Sequence, residues 1–226
     1  MKLKVYQINA DIDKKNALFR NYESIMKDEG KVDASIYRCV FDGNINATDL
    51  EKVFEVLNTE HVVGYNGHSL SVSDIVDIEN DGCYFCDSFG FKKLEGFDVS
   101  TIPPVIGYRM LVVEPRKEPY EMVIPTGLKP LQQAVNGLIE CTYPFDDNTF
   151  VISNEEAKLI GMDGNRRING EIYAGPFLIA GDNGCGGTVD LTDEQIEKYT
   201  NQFKIPEDIS QDDVEESLRY FIIGFN

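Results

Sequence analysis

Several polar side chains of the kinds used in catalysis lie close together in the first half of the chain. An imidazole, hydroxyls and carboxylates occur at His68, Ser69, Ser71, Asp74, Asp87 and Ser88. A histidine beside a hydroxyl and a carboxylate supports nucleophilic or acid–base chemistry when the groups converge in space. This segment is therefore the first candidate for a binding site.

The secondary structure predicted for this segment is a β-hairpin. Residues 70–78 alternate apolar and polar side chains, Asn80-Asp81-Gly82 is a turn signal, and Tyr84-Phe85-Cys86 begins a return strand. Closure of that hairpin brings Asp87 near Asp74, so a small polar recognition patch is one interpretation.

The strand geometry favours a second, structural interpretation. Successive side chains of a strand point to opposite faces, so Ser69, Ser71 and Ser73 share one face and His68 lies on the other. In that case His68 and Ser69 form the entry turn, and Asp74 accepts backbone N–H groups.

The remaining candidates also favour structural roles. Cys83 and Cys86 have C-x-x-C spacing without a second ligand pair, which predicts buried free thiols rather than zinc. The glycine-rich segment 181–187 lacks the Lys-Ser/Thr of a phosphate loop and predicts a turn. Paired charges at Asp146-Asp147, Glu155-Glu156 and Arg166-Arg167 are typical of solvated loops. We predict no catalytic residue, no metal site and no cofactor, and the patterns favour a protein that is not an enzyme.

Net charge is the most unusual property of the chain. Asp and Glu total 39 against 21 Lys and Arg, which gives −18 at pH 7. Such a surface repels nucleic acid and anionic membranes, so neither is predicted as a partner. Two interpretations remain: solubility, or competition with nucleic acid for a basic protein partner. The candidate partner surface comprises Asp193, Glu194, Glu197, Asp212, Asp213, Glu215 and Glu216.

These groups are positioned by elements that form two domains. Pro103-Pro104 interrupts the pattern, so we predict a domain over 1–100, a second over 105–205 and an acidic C-terminal helix or tail over 206–226. Helices are predicted over 16–27, ending at Gly30, and over 49–58, with a Thr48–Glu51 capping box. A further helix is predicted from a Thr192 cap to about 203. The fold class predicted is α+β: two small mixed α/β domains with largely antiparallel sheets.

The segment 1–6 alternates like a strand and does not resemble a signal peptide, and the sequence has no apolar run of about 20 residues. Five scattered cysteines do not form a disulfide framework. We therefore expect a cytoplasmic protein.

Two stretches resemble known families. Residues 66–76, Asn-Gly-His-Ser-Leu-Ser-Val-Ser-Asp-Ile-Val, and residues 84–91, Tyr-Phe-Cys-Asp-Ser-Phe-Gly-Phe, resemble the signature of the YodL-like domain. The second half resembles a domain of unknown function through residues 111–115, 117–120, 139–140, 143–147 and 154–161. Similar domains occur in phages and conjugative elements of gut bacteria, often near or fused to antirestriction modules. The resemblance implies an accessory or anti-defence role and carries over no catalytic residue.

Three hypotheses stay open at this point. The first is an acidic accessory protein of a mobile genetic element that binds a basic nucleic-acid-binding host protein. The second is a small-ligand binder or enzyme that uses the segment His68 to Asp74. The third is a non-catalytic scaffold.

Overall fold

The computed structural model describes the backbone of residues 1–223 and the side chains of residues 1–218. The chain folds into two units, Met1–Ile106 and Gly107–Asn226. The last three residues of the predicted C-terminal segment lie outside the described residues. Within the described part, no helix is both long enough and apolar enough to cross a lipid bilayer.

The first unit is a five-stranded antiparallel sheet with two helices. Its elements are β1 (Lys2–Ile8), α1 (Tyr22–Glu29), β2 (Tyr37–Asn44), α2 (Leu50–Thr59), β3 (Ile75–Ile78), β4 (Gly82–Cys86) and β5 (Phe91–Lys93), with short 3₁₀ turns at Ala34–Ile36 and Val99–Thr101. The strand order is β2-β1-β3-β4-β5. The interior strand β1 is almost continuously buried, and the core on one side of the sheet includes Tyr6, Ile8, Ile75 and Phe85.

Two helix starts in this unit differ from the sequence prediction. Asn16 and Phe19 have positive φ angles of 52° and 62°, so α1 does not begin until Tyr22. The Thr48 capping box is wrong: Asp49 is the N-cap of α2, and its side chain accepts a hydrogen bond from the Lys52 N–H. An Asp placed directly before the first helical residue satisfies a free N–H without the threonine.

The second unit contains a six-stranded sheet, a separate hairpin and three helices. Its elements are β6 (Gly107–Val113), β7 (Tyr120–Pro125), α3 (Leu128–Ala134), β8 (Ile139–Thr142), β9 (Thr149–Asn154), β10 (Gly164–Ile168), β11 (Glu171–Ala174), β12 (Phe177–Asp182), β13 (Thr188–Val189), α4 (Asp193–Phe203) and α5 (Gln211–Ile223). The sheet order is β7-β6-β12-β9-β8, β13 also pairs with β12, and β10 pairs with β11. Every pairing is antiparallel, so the predicted α+β class is confirmed.

The helix α4 forms as its sequence predicts. The Thr192 hydroxyl accepts a hydrogen bond from the Gln195 N–H, and the Gln195 side-chain oxygen accepts one from the Thr192 N–H. Tyr199 and Phe203 on one face of α4 pack against the apolar side chains of β12, including Phe177 and Ile179. The opposite face of α4 is therefore left in solvent.

The strand β10 was not predicted, and its arginine pair is not a solvated loop. Arg166 is only 1% exposed. Its guanidinium donates to the backbone carbonyls of Phe203, Lys117 and Asn165 at 2.8–3.3 Å. Burial lowers the pKa of this guanidinium. Arg167, the next residue, points outward and pairs with Glu207 at 3.0 Å.

Candidate functional site

The segment before β3 is a turn rather than the predicted strand. The strand begins only at Ile75, because the Asp74 N–H bonds back to the Ser71 carbonyl at 3.1 Å and Ser73 has a φ of 78°. Strand alternation therefore does not separate His68 from the other polar groups, and that expectation is wrong. The turn brings His68 Nδ1 to 3.8 Å from Asp74 Oδ2.

A buried glutamine on β1 organises this turn. Gln7 is fully buried, and its Nε2 lies 3.0 Å from Asp74 Oδ2, 2.8 Å from the His68 carbonyl and 3.0 Å from the Tyr65 hydroxyl. Its Oε1 accepts the His68 N–H at 3.0 Å. A Cβ on Gly67 would overlap with Gln7 Oε1, so this approach requires glycine. The sequence carried one signal for Gln7, a polar residue within an otherwise apolar run.

The contacts of His68 fix the tautomer of its neutral ring. Nδ1 lies 2.8 Å from the Ser69 carbonyl, which can only accept a hydrogen bond, so Nδ1 carries the proton. Gln7 Nε2 is 3.2 Å from the same nitrogen but has three oxygen acceptors of its own. The neutral ring therefore offers Nε2 as an acceptor. The His68 side chain is 37% exposed, and the Phe19 ring lies 5.6 Å from it.

Asp74 is the most strongly perturbed carboxylate of this site. It is fully buried, and Oδ2 accepts from the Ser71 N–H at 2.8 Å as well as from Gln7. Its Oδ1 is buried without a hydrogen-bond partner among the described residues. Burial raises the pKa of this carboxyl to about 7, although the Ser71 N–H, His68 and Gln7 each act to lower it.

The Ser71 and Asp87 side chains bond to groups other than the imidazole. The Ser71 hydroxyl donates to the Ser69 carbonyl at 2.7 Å. Backbone hydrogen bonds join Cys86 to Ser73 and to Asp74, so the end of β4 lies beside the turn. The Asp87 side chain is nevertheless engaged elsewhere, because its Oδ1 accepts hydrogen bonds from the N–H groups of Tyr22 and Ser88. No hydroxyl contacts the ring of His68 within the described residues, so the cluster lacks the nucleophile of a hydrolytic triad.

The two cysteines of β4, Cys83 and Cys86, have thiols of low reactivity. Cys83 and Cys86 are free and buried, and burial raises the pKa of each thiol to about 12. The described part of the chain contains no cluster of three His, Cys, Asp or Glu side chains able to hold a metal ion.

The predicted acidic surface lies on two helices of the second unit. We call the seven carboxylates of α4 and α5 the acidic helix surface: Asp193, Glu194, Glu197, Asp212, Asp213, Glu215 and Glu216. All are exposed except Asp213, which is half-buried. Arg109 bonds Asp193 at 2.5 Å, and Arg167 lies 3.9 Å from Asp213. The other five carboxylates form no ion pair with a described side chain.

Comparison with known protein families agrees with the resemblance in both halves. Residues 2–97 match the model of the YodL-like domain, and residues 108–204 match that of a domain of unknown function, DUF3846. No curated protein and no solved structure matches the chain. The chain therefore matches a YodL-like domain followed by a DUF3846 domain.

Proposed function

We propose that this protein is an acidic accessory protein of a phage or conjugative element that binds a basic, nucleic-acid-handling host protein. It acts without catalysis, in the cytoplasm, by occupying the groove that nucleic acid would otherwise fill. An antirestriction or wider anti-defence role follows from the contexts in which similar domains occur.

The observation that carries this proposal is the acidic helix surface. Five of its carboxylates face solvent without an ion pair among the described side chains. Uncompensated charge of one sign steers the association of an oppositely charged partner and repels nucleic acid itself. Solubility requires only a net charge. It does not require that the charge be concentrated on α4 and α5, which are consecutive helices in the chain.

The test compares two variants of equal net charge. One replaces the unpaired carboxylates of the acidic helix surface: Glu194→Gln, Glu197→Gln, Asp212→Asn, Glu215→Gln and Glu216→Gln. The control replaces five exposed carboxylates of the first unit: Asp11→Asn, Glu23→Gln, Glu51→Gln, Glu60→Gln and Glu95→Gln. Each variant carries −13 rather than −18.

Immobilised wild-type protein and both variants are exposed to a bacterial lysate, and the captured proteins are identified by mass spectrometry. We expect wild type and control to capture basic nucleic-acid-binding proteins and the helix variant to capture none of them. We expect the captured proteins to be released at 0.5 M salt, where the screening length is about 4 Å, or on addition of a duplex oligonucleotide. Equal capture by all three proteins, or capture insensitive to salt and duplex, contradicts the proposal.

A specific observation supports a second candidate function, ligand binding at His68. Among the described residues Asp74 Oδ1 is buried without a hydrogen-bond partner, and Asp74 Oδ2 lies 3.8 Å from Nδ1 of the His68 ring. An imidazole whose Nδ1–H is held by a backbone carbonyl, here that of Ser69, presents Nε2 as a base. His68→Ala, with His61→Ala as the control, tests this candidate: unchanged biological activity in both variants removes it.

A further inference from the structure

A groove of about 450 Å³ lies in the second unit, beside the edge of its main sheet. Among the described residues its floor is apolar and consists of Ala157, Ile172 and Ala174, which are all buried. Leu159, which is 65% exposed, and Leu218 of α5 add apolar walls. A concave apolar surface of this size can bury several side chains of a binding partner.

The strand that borders the groove has an open side. β8 is at the end of the sheet order and pairs only with β9 in the part of the chain that the structure describes. Its Glu140 and Thr142 side chains line the groove, and the Thr142 hydroxyl bonds the Tyr173 hydroxyl at 2.7 Å. An edge strand presents unpaired N–H and C=O groups that can accept an additional strand.

The rim of the groove is acidic. The charged residues among its described lining are Glu140, Glu155, Glu171 and Lys158, a net charge of −2. The single lysine is already engaged, because Lys158 pairs with Glu171. Charge complementarity therefore selects an occupant that carries Lys or Arg and excludes an anionic one.

We infer that this groove binds an extended, basic and apolar segment of the partner protein. The segment pairs with the open side of β8, places one or two apolar side chains on the floor formed by Ala157, Ile172 and Ala174, and directs Lys or Arg toward Glu140 and Glu155. This inference rests on the proposed function, because it names the partner segment that the acidic second unit receives. A second copy of this chain is a poor occupant, since two chains of −18 repel each other.

Defined peptides test the chemistry of the groove directly. The probe is a fluorescein-labelled peptide of sequence Lys-Val-Lys-Val-Lys-Val, with one control in which Ser replaces Val and another in which Glu replaces Lys. Binding to the full chain is measured by fluorescence anisotropy. We expect each control to bind at least tenfold more weakly, because the Ser control loses the buried Val side chains and the Glu control places carboxylates against the acidic rim. Equal binding of the Val and Ser peptides indicates general charge attraction and overturns the inference.

Two pairs of variants locate the peptide. The double variant Glu140→Lys with Glu155→Lys reverses the charge of the rim. Its control, Glu118→Lys with Glu95→Lys, makes the same change in net charge outside the groove. Leu159→Ser removes an apolar wall, and Ile205→Ser is its control, since Ile205 is 82% exposed outside the groove. We expect the rim and wall variants, and neither control, to weaken peptide binding on the order of tenfold at low salt.

NMR then identifies the strand that receives the peptide. We expect the largest amide shifts at Ile139–Thr142 of β8, and none at Tyr120–Pro125 of β7, which is the opposite edge of the sheet. Shifts confined to β7, or a concentration-dependent dimer whose contact maps to β8 without peptide, overturn the inference.

The groove and the proposed function can fail separately. If the rim variant captures the same lysate proteins as wild type while the helix variant loses them, the proposed function stands and the groove is not its binding site. If the Val peptide binds at β8 but no basic protein is captured from any lysate, the groove is a peptide site and the proposed function is wrong.

Discussion

The His68 turn and the acidic helix surface use similar polar groups in opposite ways. In the first unit Gln7, His68 and Asp74 turn toward one another, and Gln7 and Asp74 are fully buried. In the second unit the carboxylates of α4 and α5 point outward, and five have no ion pair among the described side chains. We therefore expect the first cluster to contribute to the stability of its own unit and the second to contribute little to it.

Removal of the buried amide gives the largest expected change in stability. Gln7→Ala leaves the His68 N–H without its partner and removes one of the hydrogen bonds to Asp74 Oδ2 and to the His68 carbonyl, so the free energy of unfolding should fall by about 2–4 kcal/mol. Urea denaturation measures this change. Lys4→Ala on the same strand is the control, because it removes a half-exposed pair with Asp42 worth about 1 kcal/mol at most. If Gln7→Ala lowers the free energy of unfolding no more than Lys4→Ala does, the buried cluster stabilises its unit no more than a surface pair, and the contrast between the two regions is wrong.

The buried carboxylate should also make the stability depend on pH. Its pKa is raised to about 7 in the folded protein, above the unfolded value near 3.8, so its favourable contribution is complete below the unfolded pKa. That contribution is lost as pH rises toward 7, because ionisation of buried Asp74 is disfavoured. We expect the free energy of unfolding of wild type, relative to Asp74→Asn, to fall by roughly 2–4 kcal/mol between pH 4 and pH 8.

This difference is measured by urea titrations of the two proteins at matched pH values, since other carboxylates titrate equally in both. Parallel pH profiles would show that Asp74 has an ordinary pKa and that the cluster is open to water.

Neutralising the acidic helix surface should change stability least. Glu194 and Asp212 lie near helix N-termini, where negative charge is favourable, whereas relief of repulsion among like charges acts in the other direction. The five-residue helix variant should therefore keep a free energy of unfolding within about 1 kcal/mol of wild type. A loss above about 2 kcal/mol in thermal or urea denaturation would show that these carboxylates stabilise their own unit, and it would remove the contrast between the regions.

Local sequence patterns suffice to predict the class of the fold and several of its parts. The Thr192–Gln195 capping box, the apolar face of α4 and the turn at Asn80-Asp81-Gly82 each depend on residues a few positions apart, so their spacing alone predicts them. The net charge of −18 is likewise a property of composition.

Which polar residues meet depends on how the whole chain packs. Gln7 contacts residues 58 to 67 positions away, and the Arg166 guanidinium is satisfied by carbonyls from Lys117 and Phe203. The positive φ of Ser73 turns the chain where apolar alternation predicts a strand, and this brings His68 to Asp74. Such contacts arise because buried donors and acceptors must be paired wherever the packed chain places them, and no local periodicity records the partner.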